Sequence, residues 1–208
     1  TSWPDSDPLV TGVGGTQLHF TARGAPAAPT VWNDTYNPKA NEFTDGNAGP
    51  SPLAGGGGLS IFFTRPGYQD SVRDVVGGSR GVPDISMSAA CNGAVDTYSS
   101  YQGAADGWSP ECGTSEATPL FAGIVALADQ VAGHSLGLIN PALYQLAAQH
   151  KPGIVDVTKG NNTVSFTQDG REQTVTGFTA RPGYDLATGL GTVNAPYFVP
   201  ELARLAGH

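Results

Sequence analysis

Leu120 to Ala128 reads LFAGIVALA, nine residues without a charge, flanked by Pro119 and, a little further on, Gly133. A run that is apolar on every side predicts a helix over 118–132 that is buried on most sides and needs neighbours in more than one direction. Pro119 suits the first turn, where no backbone donor is needed, and Gly133 suits the stop. Around this helix, residues 9–14 (LVTGVG) and 81–90 (GVPDISMSAA) read as buried strands, with QLHFTA continuing the first in extended form. The stretch AVDTYSSYQG predicts an extended segment or hairpin arm, and two further helices are expected over 140–148 and 200–205. Strands alternating with buried helices predict an α/β layered fold, and no shift in composition divides residues 1–208 into more than one unit.

Composition limits the partners. Ten Lys and Arg against 18 Asp and Glu give a formal charge of −8, which argues against nucleic acid and against an anionic membrane surface. No run approaches the ~20 apolar residues that span a bilayer. The opening TSWPDSD lacks the features of a signal peptide, and a chain without an initiator Met is expected to be processed or excised. Cys91 and Cys112 lie 21 positions apart without zinc-site spacing, so the alternatives are one disulfide, contributing about 3 kcal/mol, or two thiols buried as small hydrophobes.

With 29 Gly and 16 Pro, many turns are expected. Residues 25–52 read as a long surface excursion, with a short strand around 30–32 and with Trp32, Tyr36 and Phe43 available for binding. The four glycines of AGGGGLSIFF signal a flexible or tightly turned backbone; a phosphate loop is excluded because no Gly-Lys-Ser/Thr follows.

Ser115, in ECGTSEATPLFA, is the candidate nucleophile. Gly113 lets the backbone turn tightly before it, and a helix starting nearby would aim free N–H groups and its positive end at a developing anion. The same local features describe an ordinary Ser or Thr helix cap, so both readings stand at this point.

The pattern Gly113-Thr114-Ser115-x-Ala117-x-Pro119 resembles the nucleophile segment of the subtilisin-like serine peptidase clan. Within that clan the chain is similar to the sedolisins, or serine-carboxyl peptidases. The stretches VTGVGGTQL, GGGGLSIFFTRPGYQ, RGVPDIS, ECGTSEATPLFAGIVAL and the pair DVTKGNN and GYDLATGLGTVN occur in that family's order. The resemblance implies a subtilisin-like layered fold with a mostly parallel sheet flanked by helices, of which this chain would be the C-terminal portion. It implies a secreted, acid-active serine endopeptidase with Ser115 as nucleophile. It also implies a Ca²⁺ site, with Asp156 and Asp185 as carboxylate ligands and carbonyls from Val157, Arg181 and Gly183; Arg181 stands where the family often has Gly. A pair of Asp-anchored turns is the plainer reading of those two loops.

The family pairs its serine with a Glu and an Asp four positions apart on one helix, and with a further Asp at the oxyanion. No Glu-x-x-x-Asp occurs here, and Asp5 and Asp7 lie past the place of the oxyanion Asp. The expected partner is therefore an N-terminal portion of the same peptidase domain carrying Glu and Asp, as a second chain, and the chain alone is expected to be nearly inert. An inactive relative kept for binding or structure is the alternative. His19, His134, His150 and His208 are the histidines that could serve a Ser-His site instead, and none lies in the His-Gly-Thr context of the classical subtilisins.

Overall fold

The computed structural model describes residues 1–38, 40, 52–101 and 107–206. In chain order the elements are β1 (Val13–Phe20), β2 (Pro26–Val31), β3 (Gly58–Thr64), a 3-10 turn over Gly67–Val72, α1 (Arg73–Val76), β4 (Ser79–Val82) and β5 (Ile85–Ser88). They continue with β6 (Val95–Ser99), β7 (Gly107–Glu111), α2 (Thr114–Ala132), α3 (Asn140–Ala148), β8 (Ile154–Val155), β9 (Val164–Gln168), β10 (Arg171–Val175), β11 (Thr192–Val193) and α4 (Ala195–Ala206). β1 lies between β2 and β5 in a mixed sheet, parallel to β5 with Val13 opposite Ile85, and antiparallel to β2. The other strands pair as the antiparallel ribbons β3–β4, β6–β7, β8–β11 and β9–β10.

The first strand starts later than predicted, because residues 9–12 satisfy their backbone in a turn. Leu9 is exposed, and the Gly12 N–H donates to the Asp84 carboxylate while its carbonyl accepts from the Asp84 and Ile85 N–H groups. The strand predicted over 81–90 is divided between β4 and β5. Pro83, between them, has no N–H for a ladder.

That break is braced by a buried polar network. The Arg80 guanidinium meets both oxygens of Asp84 at 2.5 Å, with both side chains fully buried. The Tyr144 hydroxyl donates to Asp84 at 2.8 Å and accepts from the Gln69 amide, whose carbonyl takes the Gly81 N–H. Two neighbouring motifs, RPGYQ at 65–69 and RGVPD at 80–84, thus meet on α3.

The main core joins Ile85 of β5, Phe121 and Ala128 of α2, Leu143 and Leu146 of α3, and Phe198 and Leu202 of α4. α2 lies against β1, β5 and α4. The prediction that this helix is covered on most sides is not met by the described residues: Leu120, Leu127 and Val131 are 38%, 51% and 61% exposed. Leu18 and Phe20 of β1 and Ile61 and Phe62 of β3 are exposed as well.

Gly55–Gly57 lead into β3 without a regular turn, and the fourth glycine, Gly58, opens the strand. A Cβ on Gly57 would collide with the Leu186 carbonyl, and Gly58 has a φ of 136°. The β9–β10 hairpin was not anticipated, although its Asp169-Gly170 turn, both residues at positive φ, is a recognised hairpin signal. No described helix is long and apolar enough to cross a membrane.

Candidate active site

α2 begins at Thr114, four residues before the predicted start, because Gly113 adopts a φ of 86° that turns the chain into the helix from β7. The cap position is Gly113 and no side chain caps the helix. Ser115 is therefore not a helix cap. It occupies the second helical position, exposed, and its hydroxyl makes no hydrogen bond among the described residues. Uncapped N–H groups and the positive end of a 19-residue helix lie beside it. Pro119, four residues on, has no N–H to give the Ser115 carbonyl, so the helical ladder is open there too.

The turn before Ser115 is tightly held. Cys91 and Cys112 form a disulfide, as the first of the two cysteine readings expected. The Gly113 N–H donates to the Ala89 carbonyl at 2.6 Å, and Trp32 packs beneath with Ala89, Ala90 and Ala117. Trp32 is 5% exposed, which removes it from the binding surface expected in the 25–52 excursion. Tyr36 of that excursion is exposed, and Phe43 lies outside the described residues.

Glu116 was missed by sequence reasoning. Its place three positions into the helix fits a capping box, in which the carboxylate would reach back to the cap N–H. Here that N–H is taken by Ala89, and Glu116 turns inward, 2% exposed. It borders a cavity of about 610 Å³ that Gln17, His19, Ser88 and Leu120 also line. Burial is the main cause that pushes its carboxyl up to about 7, with Glu111 adding to the rise. Ser88 and the Val95 N–H lower it, though neither makes a well-formed hydrogen bond to the carboxylate.

Between the ordinary value of 4.5 and about 7 the folded chain holds a proton that the unfolded chain releases, so stability falls as pH rises through that window. The expected loss is at most on the order of 3 kcal/mol. Denaturant midpoints measured from pH 4 to 8 should fall less steeply in Glu116→Gln than in the parent. Parallel profiles would mean that Glu116 does not titrate there.

The histidines do not assemble around Ser115. His134 follows the far end of α2, about 28 Å away along the helix, and its ring bonds to the Ser135 carbonyl. His19 shares a hydrogen bond with Thr30 in the β1–β2 pair. His150 follows α3 in a cavity with Asp156 and Gly183, and His208 lies outside the described residues. Asp7 accepts from the Leu9 N–H, while Asp5 is partly buried with one unpaired oxygen.

The two loops considered for metal do meet. The Gly183 N–H donates to the Asp156 carboxylate at 2.9 Å. Asp185, buried, accepts from the N–H groups of Arg181, Ala187 and Thr188, which is the work of an Asp-anchored turn. Val157 is buried in a small cluster with Val31, Ala180 and Ala187. No group of three or more His, Cys, Asp and Glu side chains suited to a metal occurs among the described residues, so two carboxylates would need backbone oxygens to complete a shell. A donor set made only of oxygens fits a hard cation such as Ca²⁺ and is a poor match to zinc.

Comparison with known proteins places these observations. No family model matches the chain. It is 34% identical to kumamolisin from Bacillus sp. (strain MN-32) over 197 residues, covering 91% of this chain and 30% of that protein. It is 32% identical to sedolisin from Pseudomonas sp. (strain 101) over 193 residues, covering 93% and 29%, and 32% identical to human tripeptidyl-peptidase 1 over 215 residues, covering 97% and 33%. In three dimensions it is similar to Pseudomonas sedolisin, a serine-carboxyl proteinase solved with two molecules of pseudo-iodotyrostatin. The TM-score is 0.70 at 30% identity, covering 98% of this chain and 47% of that one. The chain spans about a third of the length of these curated relatives.

Proposed function

The chain belongs to the sedolisin family, with its subtilisin-like α/β fold, and we propose that it supplies the nucleophile, Ser115, of a serine-type endopeptidase. The observation that carries this reading is an exposed serine hydroxyl, free of hydrogen bonds among the described residues, at the uncapped start of a long helix. Attack on a peptide carbonyl needs a base to take the Ser115 proton, and a positive field where the carbonyl oxygen gains charge. The helix start offers the field. The base, a Glu held by an Asp, belongs to an N-terminal portion of the peptidase domain outside these 208 residues. A carboxylate base keeps working at acid pH, where an imidazole is already protonated.

The open apolar side of α2, together with exposed Leu18 and Phe20, supports packing against such a portion, since large apolar surface left to solvent marks an interaction site. The disulfide favours an oxidising compartment, consistent with secretion. In the complete assembly a fluorophosphonate probe is expected to label Ser115 and not Ser115→Ala. Absence of labelling across acid and neutral pH in a folded assembly would refute the peptidase reading in favour of an inactive binding or structural module.

Ca²⁺ is the cofactor proposed for the 156–157 and 181–185 loops, where Asp156 and Asp185 would hold it with carbonyls of Val157, Arg181 and Gly183, fixing the turn that packs beneath β5. A ligand that binds only the folded chain at 100 times its Kd adds about 2.7 kcal/mol. Chelation is therefore expected to lower the melting temperature by several degrees, and Asp156→Ala to abolish that response. Melting indifferent to both chelator and added Ca²⁺ would leave the loops as turns alone.

A further inference from the structure

The geometry points to Asp34 as a positioning residue for Ser115: one buried carboxylate anchors both walls of the turn from which the serine projects. This inference rests on the nucleophile reading above. Asp34 is 1% exposed, and the same oxygen, Oδ2, accepts from the Trp32 indole N–H at 2.7 Å and from the Cys91 N–H at 2.7 Å. Its other oxygen accepts from the Asn37 amide at 2.7 Å, and its own N–H donates to the Leu53 carbonyl. Among the described residues its three donors are neutral N–H groups, and hydrogen bonds to a charged acceptor are roughly twice as strong as neutral ones.

Both Oδ2 contacts lead to the start of α2. Through the indole, Asp34 fixes a ring whose Cη2 lies 3.5 Å from the position a Cβ on Gly113 would occupy, so the ring forms the floor under the cap residue. Through Cys91, it fixes the half of the disulfide whose other half, Cys112, immediately precedes Gly113. Ala89, two residues before Cys91, accepts the Gly113 N–H and closes the frame. The cap residue is thereby constrained from below and from its N-terminal side, and Ser115 is two residues beyond it. Freeing both walls lets the serine drift by a fraction of a residue, and a misplacement of about 1 Å can cost about 10²-fold in rate.

The test uses the complete assembly and a peptide substrate. Asp34→Ala is expected to lower kcat about 10²-fold with little change in KM, and to slow fluorophosphonate labelling of Ser115 in proportion. Asp34→Asn, which still offers an oxygen to both N–H groups, should recover most of that loss. Trp32→Phe keeps a ring under Gly113 and removes only the N–H; about a tenfold loss is expected, and it should not add fully to that of Asp34→Ala. This variant also carries the test if Asp34→Ala does not fold. Unchanged kcat and labelling in folded variants, a loss confined to KM, or full additivity would overturn the positioning role. If wild-type Ser115 is itself unreactive, the peptidase reading falls and takes this one with it. If it is reactive and its rate ignores Asp34, only the positioning role falls.

Discussion

Ser115→Ala is expected to lower peptide-bond hydrolysis by the complete protein about 10⁶-fold, while leaving its stability within about 0.5 kcal/mol of the parent. The two halves of this expectation have one source. An exposed hydroxyl with no hydrogen bond among the described residues contributes little to folding, so its removal leaves no buried group unpaired. Were Ser115 a helix cap, the order would reverse: stability would fall by about 1 kcal/mol and hydrolysis would be nearly unaffected. The cap position belongs to Gly113, which has no side chain to lose. Paired measurements of kcat and of the urea midpoint separate the two cases, and a variant that retains more than about a hundredth of the parent rate would exclude covalent attack by Ser115.

The second large effect lies away from the serine. Asp84→Ala is expected to destabilise the fold by about 3–5 kcal/mol, because the fully buried Arg80 guanidinium would lose its one carboxylate partner among the described residues. The same change leaves the Gly12 N–H and the Tyr144 hydroxyl without their acceptor. Typical domain stabilities are about 5–15 kcal/mol, so this variant stands near the limit of folding. Removing both charges, as in Arg80→Met with Asp84→Leu, should cost less than Asp84→Ala alone, since no buried charge is then left unpaired. Equilibrium denaturation of the three chains reads the difference, and a double variant weaker than the single one would mean that the ion pair itself supplies net stability.

Much of the local structure was legible because it follows from chemistry along the chain. The helix over Asn140–Ala148 forms where an apolar period follows a proline suited to the first turn. The β6–β7 hairpin forms where an extended arm was expected. The boundaries moved where a residue's backbone found a distant partner: Gly12 turned aside to Asp84, and the 81–90 strand broke at Pro83. α2 started early because its beginning is set by the conformation of Gly113, which apolar spacing does not register. The Asp-Gly hairpin at 169–170 was legible in principle and was passed over.

The sequence by itself determined which residues could carry chemistry here. A serine after Gly-Thr and ahead of a proline, cysteines in reach of one another and a family order of motifs are all statements about neighbours along the chain. Only the tertiary structure decided what surrounds them. The Asp34–Cys91 contact joins residues 57 apart, and the Tyr144–Asp84 bond joins residues 60 apart. Spacing alone cannot announce such pairs, because a hydrogen bond is chosen by direction and distance in space, and by the loss of water around groups that folding buries. The same holds for Glu116, a surface residue by composition, whose pKa is raised chiefly because the packing of α2 takes it out of water.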